Sequence, residues 1–414
     1  MPGHSEAPGH SHALWSTILS KRMGFALLMG FYSGLPLLLT GALLQAWLKD
    51  SGTDLTMLGA VALLGLPYTL KFLWAPLVDR YSLFRLGRRR GWLIVSQLLL
   101  SLSIAALGMT QPAHAIFATL AAALCTSFFS ATQDIVIDAY RRENLLDREQ
   151  GLGAALYVNG YRFAMLLVGG GGLILADFVG FRDLYLLAAT LMFSSVLVTL
   201  AAPEPKNVHP YPATLKEAVL LPLLSFFARR NAWVILAFIV LYKLGDTLAG
   251  QMTIPFYLTV GFSKTEIGMV VKLFGFWATL LGSLLGGVLV LRGGLYVSLW
   301  VFGVLQGLST ACFALLLATG PSQMALAAVV SFENLSAGMG SAAFTAFMAI
   351  QSDQRYTATQ YALLSSLMGV PRVFAAAPSG WLVEQVGWQN FFLSSAMVAV
   401  PGLLMLAGLK PVLR

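Results

Sequence analysis

The stretch Ser130-Ala-Thr-Gln-Asp-Ile-Val-Ile-Asp-Ala-Tyr-Arg-Arg-Glu143 continues, without a break, an apolar run that begins near Ala113. The run is long enough to cross a bilayer as a helix, and it contains the two carboxylates Asp134 and Asp138. A carboxylate inside a membrane-length helix is costly in free energy unless it is paired or used. These two acids are therefore the first candidates for a functional site.

The composition places the whole chain in the membrane class. Hydrophobic residues make up 57% and charged residues 11% of the chain, and the mean hydropathy is +0.76. We predict an all-α membrane protein with twelve apolar spans of about 20 residues or more. They cover residues 23–48, 55–78, 91–110, 113–140, 150–176, 183–202, 232–258, 265–291, 295–319, 322–350, 357–383 and 388–410.

The positive charges select an orientation. Most of the 26 Lys and Arg residues fall on one side if the N-terminus is cytoplasmic, and this distribution places the C-terminus on that side as well. The same distribution explains the net charge of +8, so no nucleic-acid partner is predicted. Cys125 and Cys312 lie in separate apolar spans without metal-ligand spacing, and no metal site is predicted.

An internal repeat divides the chain into two halves. Thr56-Met-Leu-Gly59 is matched by Thr265-Glu-Ile-Gly268, and Gly160-Tyr-Arg162 by Val370-Pro-Arg372, each about 210 residues later. We predict two pseudo-symmetric six-helix bundles. The predicted organisation is a cytoplasmic tail at 1–22, bundles at 23–202 and 232–414, and a linker with an amphipathic helix at 203–231.

Two parallel six-helix halves are the plan of the major facilitator transporters. The loop from Asp79-Arg80 to Gly87-Arg-Arg-Arg90 resembles the motif between the second and third helices of that superfamily. The resemblance implies a cytoplasmic latch formed by Asp79 and Arg80. A cluster of arginines that only sets the topology is the alternative.

A sharper resemblance is carried by four stretches in the first 165 residues. They are Gly30-Phe-Tyr-Ser-Gly-Leu-Pro36, Leu44-Gln-Ala-Trp-Leu48, Gly65-Leu-Pro-Tyr-Thr-Leu-Lys-Phe-Leu-Trp-Ala-Pro76 and Gln133-Asp-Ile-Val-Ile-Asp-Ala-Tyr-Arg141. They look like the AmpG family of muropeptide permeases. In the C-terminal half only the architecture supports the likeness. The resemblance implies proton-driven uptake of N-acetylglucosaminyl-anhydro-N-acetylmuramyl peptides from periplasm to cytoplasm across a bacterial inner membrane.

The acidic residues supply the proton-site candidates. Asp134 lies deep in its span beside Gln133 and could carry a proton or neutralise a buried cation. Glu333 lies near mid-membrane without a base within one helical turn, so it is the second candidate; a structural hydrogen bond is its alternative role. Asp138 is spaced to pair with Arg142, an interfacial bridge that also belongs to the predicted gate with Arg141.

The basic and polar residues supply the candidates for substrate binding. Arg162 and Arg372 occupy equivalent deep positions, where a guanidinium could hold a carboxylate of the substrate or pair with Asp134 or Glu333. Lys243 and Asp246, three residues apart, are expected to neutralise each other. Further residues able to stack on or hydrogen-bond a sugar or anion are Tyr32, Gln45, Trp47, Lys71, Gln133, Tyr157 and Asn159.

Glycines mark possible close contacts between helices. Gly169 to Gly172 in the fifth span, and Gly282 with Gly286 in the eighth, are predicted to form packing surfaces between the two halves.

Three classes of function are compatible with a polytopic chain. A membrane enzyme would need a convergent nucleophile or metal cluster in the spans, and a sensor would need a large soluble loop; the sequence favours neither. The prediction is a monomeric transporter that uses the proton-motive force and no cofactor. Its partners would be protons, the lipid bilayer and an anionic glycopeptide, with acetyl-coenzyme A or another anionic metabolite as the alternative substrate.

Overall fold

The computed structural model describes residues 17–53, 61–84, 86–205, 212 and 214–410. Most of the predicted tail at 1–22, and Thr56 to Gly59 of the predicted repeat, lie outside this range. Within it, the apolar spans are helical, which confirms the predicted all-α membrane fold.

The first half consists of spans that run back and forth along one bundle. Its helices are Lys21–Leu39 and Ala42–Asp50 in the first span, Val61–Gly65, Leu66–Leu70, Lys71–Leu73 and Ala75–Arg80 in the second, Arg88–Gly108 in the third, Ile116–Asn144 in the fourth, Gln150–Leu166, Leu167–Gly171 and Gly172–Phe193 in the fifth and sixth, and Ser195–Ala201 at the end of the sixth.

The second half repeats this arrangement. Its helices are Ala232–Tyr242 and Leu244–Val260 in the seventh span, Lys264–Val270, Val271–Gly275 and Phe276–Gly293 in the eighth, Leu295–Cys312 and Leu315–Thr319 in the ninth, Gln323–Gln351 in the tenth, and Thr357–Leu409 in the eleventh and twelfth. Each half has its own apolar core, represented by Leu35, Leu100 and Tyr185 in the first and by Ile235, Phe302 and Phe347 in the second.

Four glycines with positive φ mark the starts of the third, sixth, ninth and twelfth spans. They are Gly87 (φ 102°), Gly180 (φ 80°), Gly294 (φ 80°) and Gly387 (φ 77°). A side chain is strained in this conformation, so glycine allows the sharp turn into the next helix. At Gly180 and Gly387 the backbone leaves the helical conformation, so the segments Gly172–Phe193 and Thr357–Leu409 each consist of two helices that meet at the glycine. The described residues contain eight helical stretches that are long and apolar enough to cross a membrane, and one of them, Asp147–Ala201, includes both the fifth and the sixth span.

Close helix contacts within each half depend on glycine. A Cβ atom on Gly30 would lie 2.1 Å from the carbonyl oxygen of Tyr157, so the first and fifth spans touch backbone to backbone. Likewise, a Cβ atom on Gly286 would lie 2.6 Å from the Cα of Met339 in the tenth span. Gly282 and Gly286 therefore pack within the second half, and the prediction that they join the halves is wrong.

The Gly169 to Gly172 run is also internal to one half. A Cβ atom on Gly169 would meet Leu38, and one on Gly172 would meet Leu43, both from the first span. Small residues allow a neighbouring helix to approach closely, but they do not specify which helix it is. The prediction that this run joins the two halves is therefore also wrong.

The described part of the linker contains the helix Leu215–Phe227. Thr214 caps its start, because the Thr214 hydroxyl accepts a hydrogen bond from the Glu217 amide at 3.1 Å. This helix packs against Ala75–Arg80 of the first half. It also contacts the second half, because the buried Gln360 amide donates to the carbonyl of Pro222 and to the hydroxyl of Ser225, both at 2.9 Å. The linker helix thus touches both halves at one end of the protein.

Candidate functional site

A buried hydrogen-bonded group lies between the first, fourth and fifth spans. The Ser33 hydroxyl donates to Asp134 Oδ1 at 2.5 Å and shares a hydrogen bond with the Tyr157 hydroxyl at 2.8 Å. Ser33 is 1% exposed and Asp134 8%. The glycine contact between the first and fifth spans brings the Tyr157 side chain within reach, so a local packing feature creates this polar group.

An ion-pair cluster continues along the fourth span. Lys71 Nζ lies 3.6 Å from Asp138 Oδ2, and Arg141 Nη2 lies 3.7 Å from Asp138 Oδ1. Lys71, predicted as a substrate ligand, is buried in this pair. Removing one partner of a buried ion pair leaves an uncompensated charge, so these groups depend on one another.

The predicted bridge from Asp138 to Arg142 is wrong. Arg142 instead donates to Asp147 at 2.6 Å, in the loop that follows the fourth span. Asp138 pairs with Arg141 on its own helix and with Lys71 from the second span. The spacing of four residues allowed the predicted pair but did not take account of partners on other elements.

Arg141 joins the two halves. Its Nη2 donates to the Tyr361 hydroxyl of the eleventh span at 2.9 Å. Its guanidinium also lies 5.4 Å from the ring centre of Tyr157 and 5.6 Å from that of Tyr361, within the range of cation–π attraction. A residue predicted to belong to the gate therefore has a partner in the opposite half.

Asp79 makes a second connection between the halves. Its carboxylate accepts hydrogen bonds from the amides of Ala358 (3.2 Å) and Thr359 (2.8 Å), and from the Thr359 hydroxyl (2.8 Å). These amides belong to the first turn of Thr357–Leu409, where a helix has unpaired N–H groups and a favourable dipole for an anion. Asp79 is completely buried. It thus caps a helix of the other half.

The cation beside Asp79 is Arg89. Arg89 Nη2 lies 2.9 Å from Asp79 Oδ1 and 2.5 Å from Glu143 Oε1, while Arg88 pairs with Glu143 at 3.1 Å. The latch was predicted as Asp79 with Arg80, whereas the guanidinium of Arg80 lies 5.3 Å from the ring centre of Tyr81. Arg89 and Glu143 were missed, although the run of three arginines was the signal that could have identified them.

A further acid orders the start of the third span. Glu204, from the end of the first half, accepts hydrogen bonds from the amides of Arg89 (2.8 Å) and Arg90 (3.0 Å). The carboxylate therefore caps the helix that presents Arg89 to Asp79. We call the end of the protein with residues 79–84, 86–90, 141–150 and 352–360 the basic end.

The fifth and eighth spans form a third contact between the halves. Asn159 donates to the Leu280 carbonyl at 3.4 Å and accepts a short hydrogen bond from Ser283. Nearer the basic end, a Cβ atom on Gly287 would lie 2.6 Å from the Cβ of Ala155. Asn159, predicted to bind substrate, is 3% exposed and bonded to the other half. It therefore acts in the contact between halves.

A less deeply buried polar cluster combines residues of the second half with Arg162 of the first. Lys243 Nζ lies 3.1 Å from Asp246 Oδ2 and 3.0 Å from Gln306 Oε1, which confirms the predicted pairing of Lys243 with Asp246. Glu333 is within electrostatic range of Lys243, Asp246 and Arg162. Glu333 and Arg162 are only partly buried. Charges at membrane depth face the interior of a bundle or a cavity, or pair with one another. Because Arg162 belongs to the first half and Glu333 to the second, this cluster lies where the two halves meet.

Other predicted ligands lie in packed positions. The Tyr32 hydroxyl bonds Ser194 at 2.8 Å, Gln133 donates to the Tyr32 carbonyl at 3.1 Å, and Trp47 packs on Phe181 and Tyr185. Tyr32, Gln133 and Trp47 are all buried, so in this conformation they support the helices. Gln45 is exposed. The side chain of Arg372 lies outside the described part of the chain.

We expect Asp79→Asn to open the basic end. The substitution removes the negative charge that both Arg89 and the first turn of Thr357–Leu409 favour. Hydrogen bonds to a charged group contribute about 1.5–3 kcal/mol, so the closed arrangement should lose stability of that order. The ratio of open to closed molecules should then rise roughly tenfold or more. Thiol labelling of a cysteine introduced at the basic end of the space between the halves should increase, and labelling at the opposite end should decrease.

Asp147→Asn is the matched control, since Asp147 is an exposed acid at the same end that pairs within its own half. Labelling should be done in a background without Cys125 and Cys312. If Asp79→Asn lowers expression while labelling stays at the parent level on both sides, Asp79 serves insertion and stability.

Comparison with known proteins identifies the family. Residues 23–376 match the family model of the Major Facilitator Superfamily. The anhydromuropeptide permease of Escherichia coli (strain K12) is 46% identical over 387 residues, which cover 93% of this chain and 79% of that protein. The chain belongs to the anhydromuropeptide permease family of the major facilitator superfamily. The likeness thus extends far beyond the first 165 residues in which the sequence showed it.

Other relatives and solved structures agree with the family. A putative transporter AmpG 4 of Rickettsia conorii is 33% identical over 92% of this chain and 94% of its own. The major facilitator transporter FucP in the outward conformation superposes with a TM-score of 0.72 at 12% identity, covering 95% of this chain and 99% of that one. The human organic anion transporter MFSD10 gives a TM-score of 0.66 at 17% identity, with 97% and 100% covered. These structures show the fold. The protein is a multi-pass membrane transporter and not an enzyme.

Proposed function

We propose that this protein imports anhydro-muropeptides, disaccharides of N-acetylglucosamine and anhydro-N-acetylmuramic acid with attached peptides, from periplasm to cytoplasm. The observation that carries the proposal is the 46% identity to the anhydromuropeptide permease over 93% of the chain. The basic end would face the cytoplasm of a bacterial inner membrane, in agreement with the positive-inside rule. The transporter would work as a monomer within the bilayer.

The two polar clusters would have different roles. The partly buried cluster of Glu333, Arg162 and Lys243 contains residues of both halves and carries both signs of charge, so it would bind the charged groups of a glycopeptide. Arg162 would bind a carboxylate of the peptide, with Arg372 as its candidate counterpart, and Gln45 would contribute hydrogen bonds. The buried group around Asp134 would carry the proton. Uptake would thus be driven by the proton-motive force, without a cofactor.

Closure of the basic end supports alternating access. Asp79, Arg141 and Asn159 each hold the two halves together, and the first two act at or near the basic end. A transporter closed on this side can receive substrate only from the other side. Release into the cytoplasm would require these three contacts to break and new contacts to form at the opposite end.

The test is uptake by purified protein in proteoliposomes. We expect labelled anhydro-disaccharide tripeptide to accumulate against its gradient when the outside is acidic, and an uncoupler to abolish the accumulation. Unlabelled anhydro-disaccharide should compete, whereas acetyl-coenzyme A should not. The proposal would be contradicted if acetyl-coenzyme A competed and the anhydro-disaccharide did not, or if uptake did not depend on the proton gradient.

A further inference from the structure

The Ser33 hydroxyl occupies a position between two functional groups. It contacts Asp134 Oδ1 at 2.5 Å on one side and the Tyr157 hydroxyl at 2.8 Å on the other. A serine hydroxyl has one hydrogen to donate and lone pairs to accept. The orientation of the two hydrogen bonds is therefore coupled, because Ser33 cannot donate to both neighbours at once.

The protonation of Asp134 fixes that orientation. An ionised carboxylate only accepts, so Ser33 gives its hydrogen to Asp134 and must accept the hydrogen of Tyr157. A protonated Asp134 needs an acceptor, and Ser33 Oγ is the one that the geometry offers at Oδ1. The nearby cations have only donors. The Ser33 hydrogen then points to the Tyr157 oxygen, so the Tyr157 hydroxyl hydrogen no longer has Ser33 as its acceptor.

The charged and titratable groups around Asp134 come from four spans. They are Tyr68 and Lys71 from the second, Asp138 and Arg141 from the fourth, Tyr157 from the fifth and Tyr361 from the eleventh. Tyr68 already donates to Ser130 at 2.9 Å, and Lys71 and Arg141 approach Asp138. Ser33 is thus the neutral hydroxyl that links Asp134 to Tyr157.

Tyr157 lies beside a contact between the two halves. Tyr157 is partly exposed, and its ring lies under the Arg141 guanidinium that bonds Tyr361 of the second half. Its hydroxyl could donate to a sugar hydroxyl, to the carbonyl of an N-acetyl group or to a peptide carbonyl. An uncharged acceptor of this kind is abundant in an acetylated sugar.

We propose that Ser33 is a relay that couples the protonation of Asp134 to ligand binding at Tyr157. A proton from water binds Asp134 Oδ1, the Ser33 hydrogen moves from Asp134 to face Tyr157, and the Tyr157 hydrogen becomes free for the ligand; no bond between heavy atoms changes. Because coupling between two sites is reciprocal, the bound ligand also holds the proton on Asp134. The inference rests on the proposed function only for the identity of the ligand, and Ser33 is a positioning residue.

The ligand-independent test is infrared difference spectroscopy of the purified protein between about pH 8 and about pH 5, a range that covers shifted carboxyl groups. We expect one tyrosine band, absent in Tyr157→Phe, to change together with the carboxyl band that Asp134→Asn removes. In Ser33→Ala the carboxyl band should persist and the tyrosine change should disappear. Ser33→Thr, which retains a hydroxyl, should restore it. Ser96→Ala, a buried serine bonded to the Leu93 carbonyl, is the matched control.

The ligand test measures binding of the anhydro-disaccharide over the same pH range. Parent affinity should rise at acidic pH by about fivefold or more, the lower end of typical coupling between sites. Ser33→Ala should bind with an affinity that no longer depends on pH. A tyrosine band that still follows the carboxyl band in Ser33→Ala, or an unchanged pH dependence of binding, would overturn the relay. Parent protein that shows the band changes but neither binds nor takes up the disaccharide would instead refute the proposed function and support the relay.

Discussion

Asp134→Asn is expected to abolish uphill accumulation of substrate while leaving the protein folded and inserted. The new asparagine would have the size of a protonated aspartic acid and could donate its amide hydrogen to Ser33, so the buried group around Ser33 and Tyr157 should stay intact. The variant cannot exchange a proton, however. Accumulation driven by an imposed pH gradient should fall to the level of protein-free liposomes, and exchange of labelled for unlabelled substrate at equal concentrations should continue.

Asp177→Asn provides the control, because it makes the same chemical change at an exposed position of the same half. Size-exclusion profiles and thermal unfolding of both variants would verify that they are folded. Uphill uptake by Asp134→Asn at the parent level would remove Asp134 from the proton path and leave Glu333 as the candidate.

Gly287→Leu is expected to prevent closure of the basic end. In the closed arrangement a Cβ atom on this glycine would already lie 2.6 Å from the Cβ of Ala155 and 3.0 Å from the carbonyl oxygen of Gly151, both in the opposite half. A leucine cannot fit there unless the halves separate. Transport should be lost, and cysteines at the basic end should be labelled fully, with or without substrate.

Gly268→Leu is the matched control, because it lies in the same span and no atom comes within 4 Å of its built Cβ position. It should transport at close to the parent rate. Gly287→Ala is expected to fall between the two, since its Cβ makes the same contact with less bulk. Parent-level labelling in folded Gly287→Leu would show that the basic end does not close through this contact.

Local sequence patterns predicted the features that depend on one helix. An acid in an apolar run identified Asp134 as a buried group, and a three-residue spacing identified the Lys243 and Asp246 pair. Asp79 was recognised from the superfamily motif as part of a latch. These predictions needed only helical periodicity, hydropathy or a short motif.

The partners of these residues depend on contacts far apart in sequence. Asp79 caps a helix that starts at Thr357, and its cation is Arg89, whose helix is capped by Glu204 from much later in the chain. Asn159 seemed available for a ligand, yet its amide is used by Leu280 and Ser283. The sequence shows which side chains need a partner, but the packing of the spans determines which partner each side chain meets.

The linker helix Leu215–Phe227 affects how the two halves can move. Gln360 bonds this helix to the second half, and the Gln360 side-chain oxygen accepts a hydrogen bond from the Asp353 amide at 2.7 Å. The same helix also contacts Ala75–Arg80 of the first half. When the halves separate at the basic end, at least one of these two contacts has to break or shift. Opening therefore also rearranges the linker helix, and not only the contacts that the halves make directly with each other.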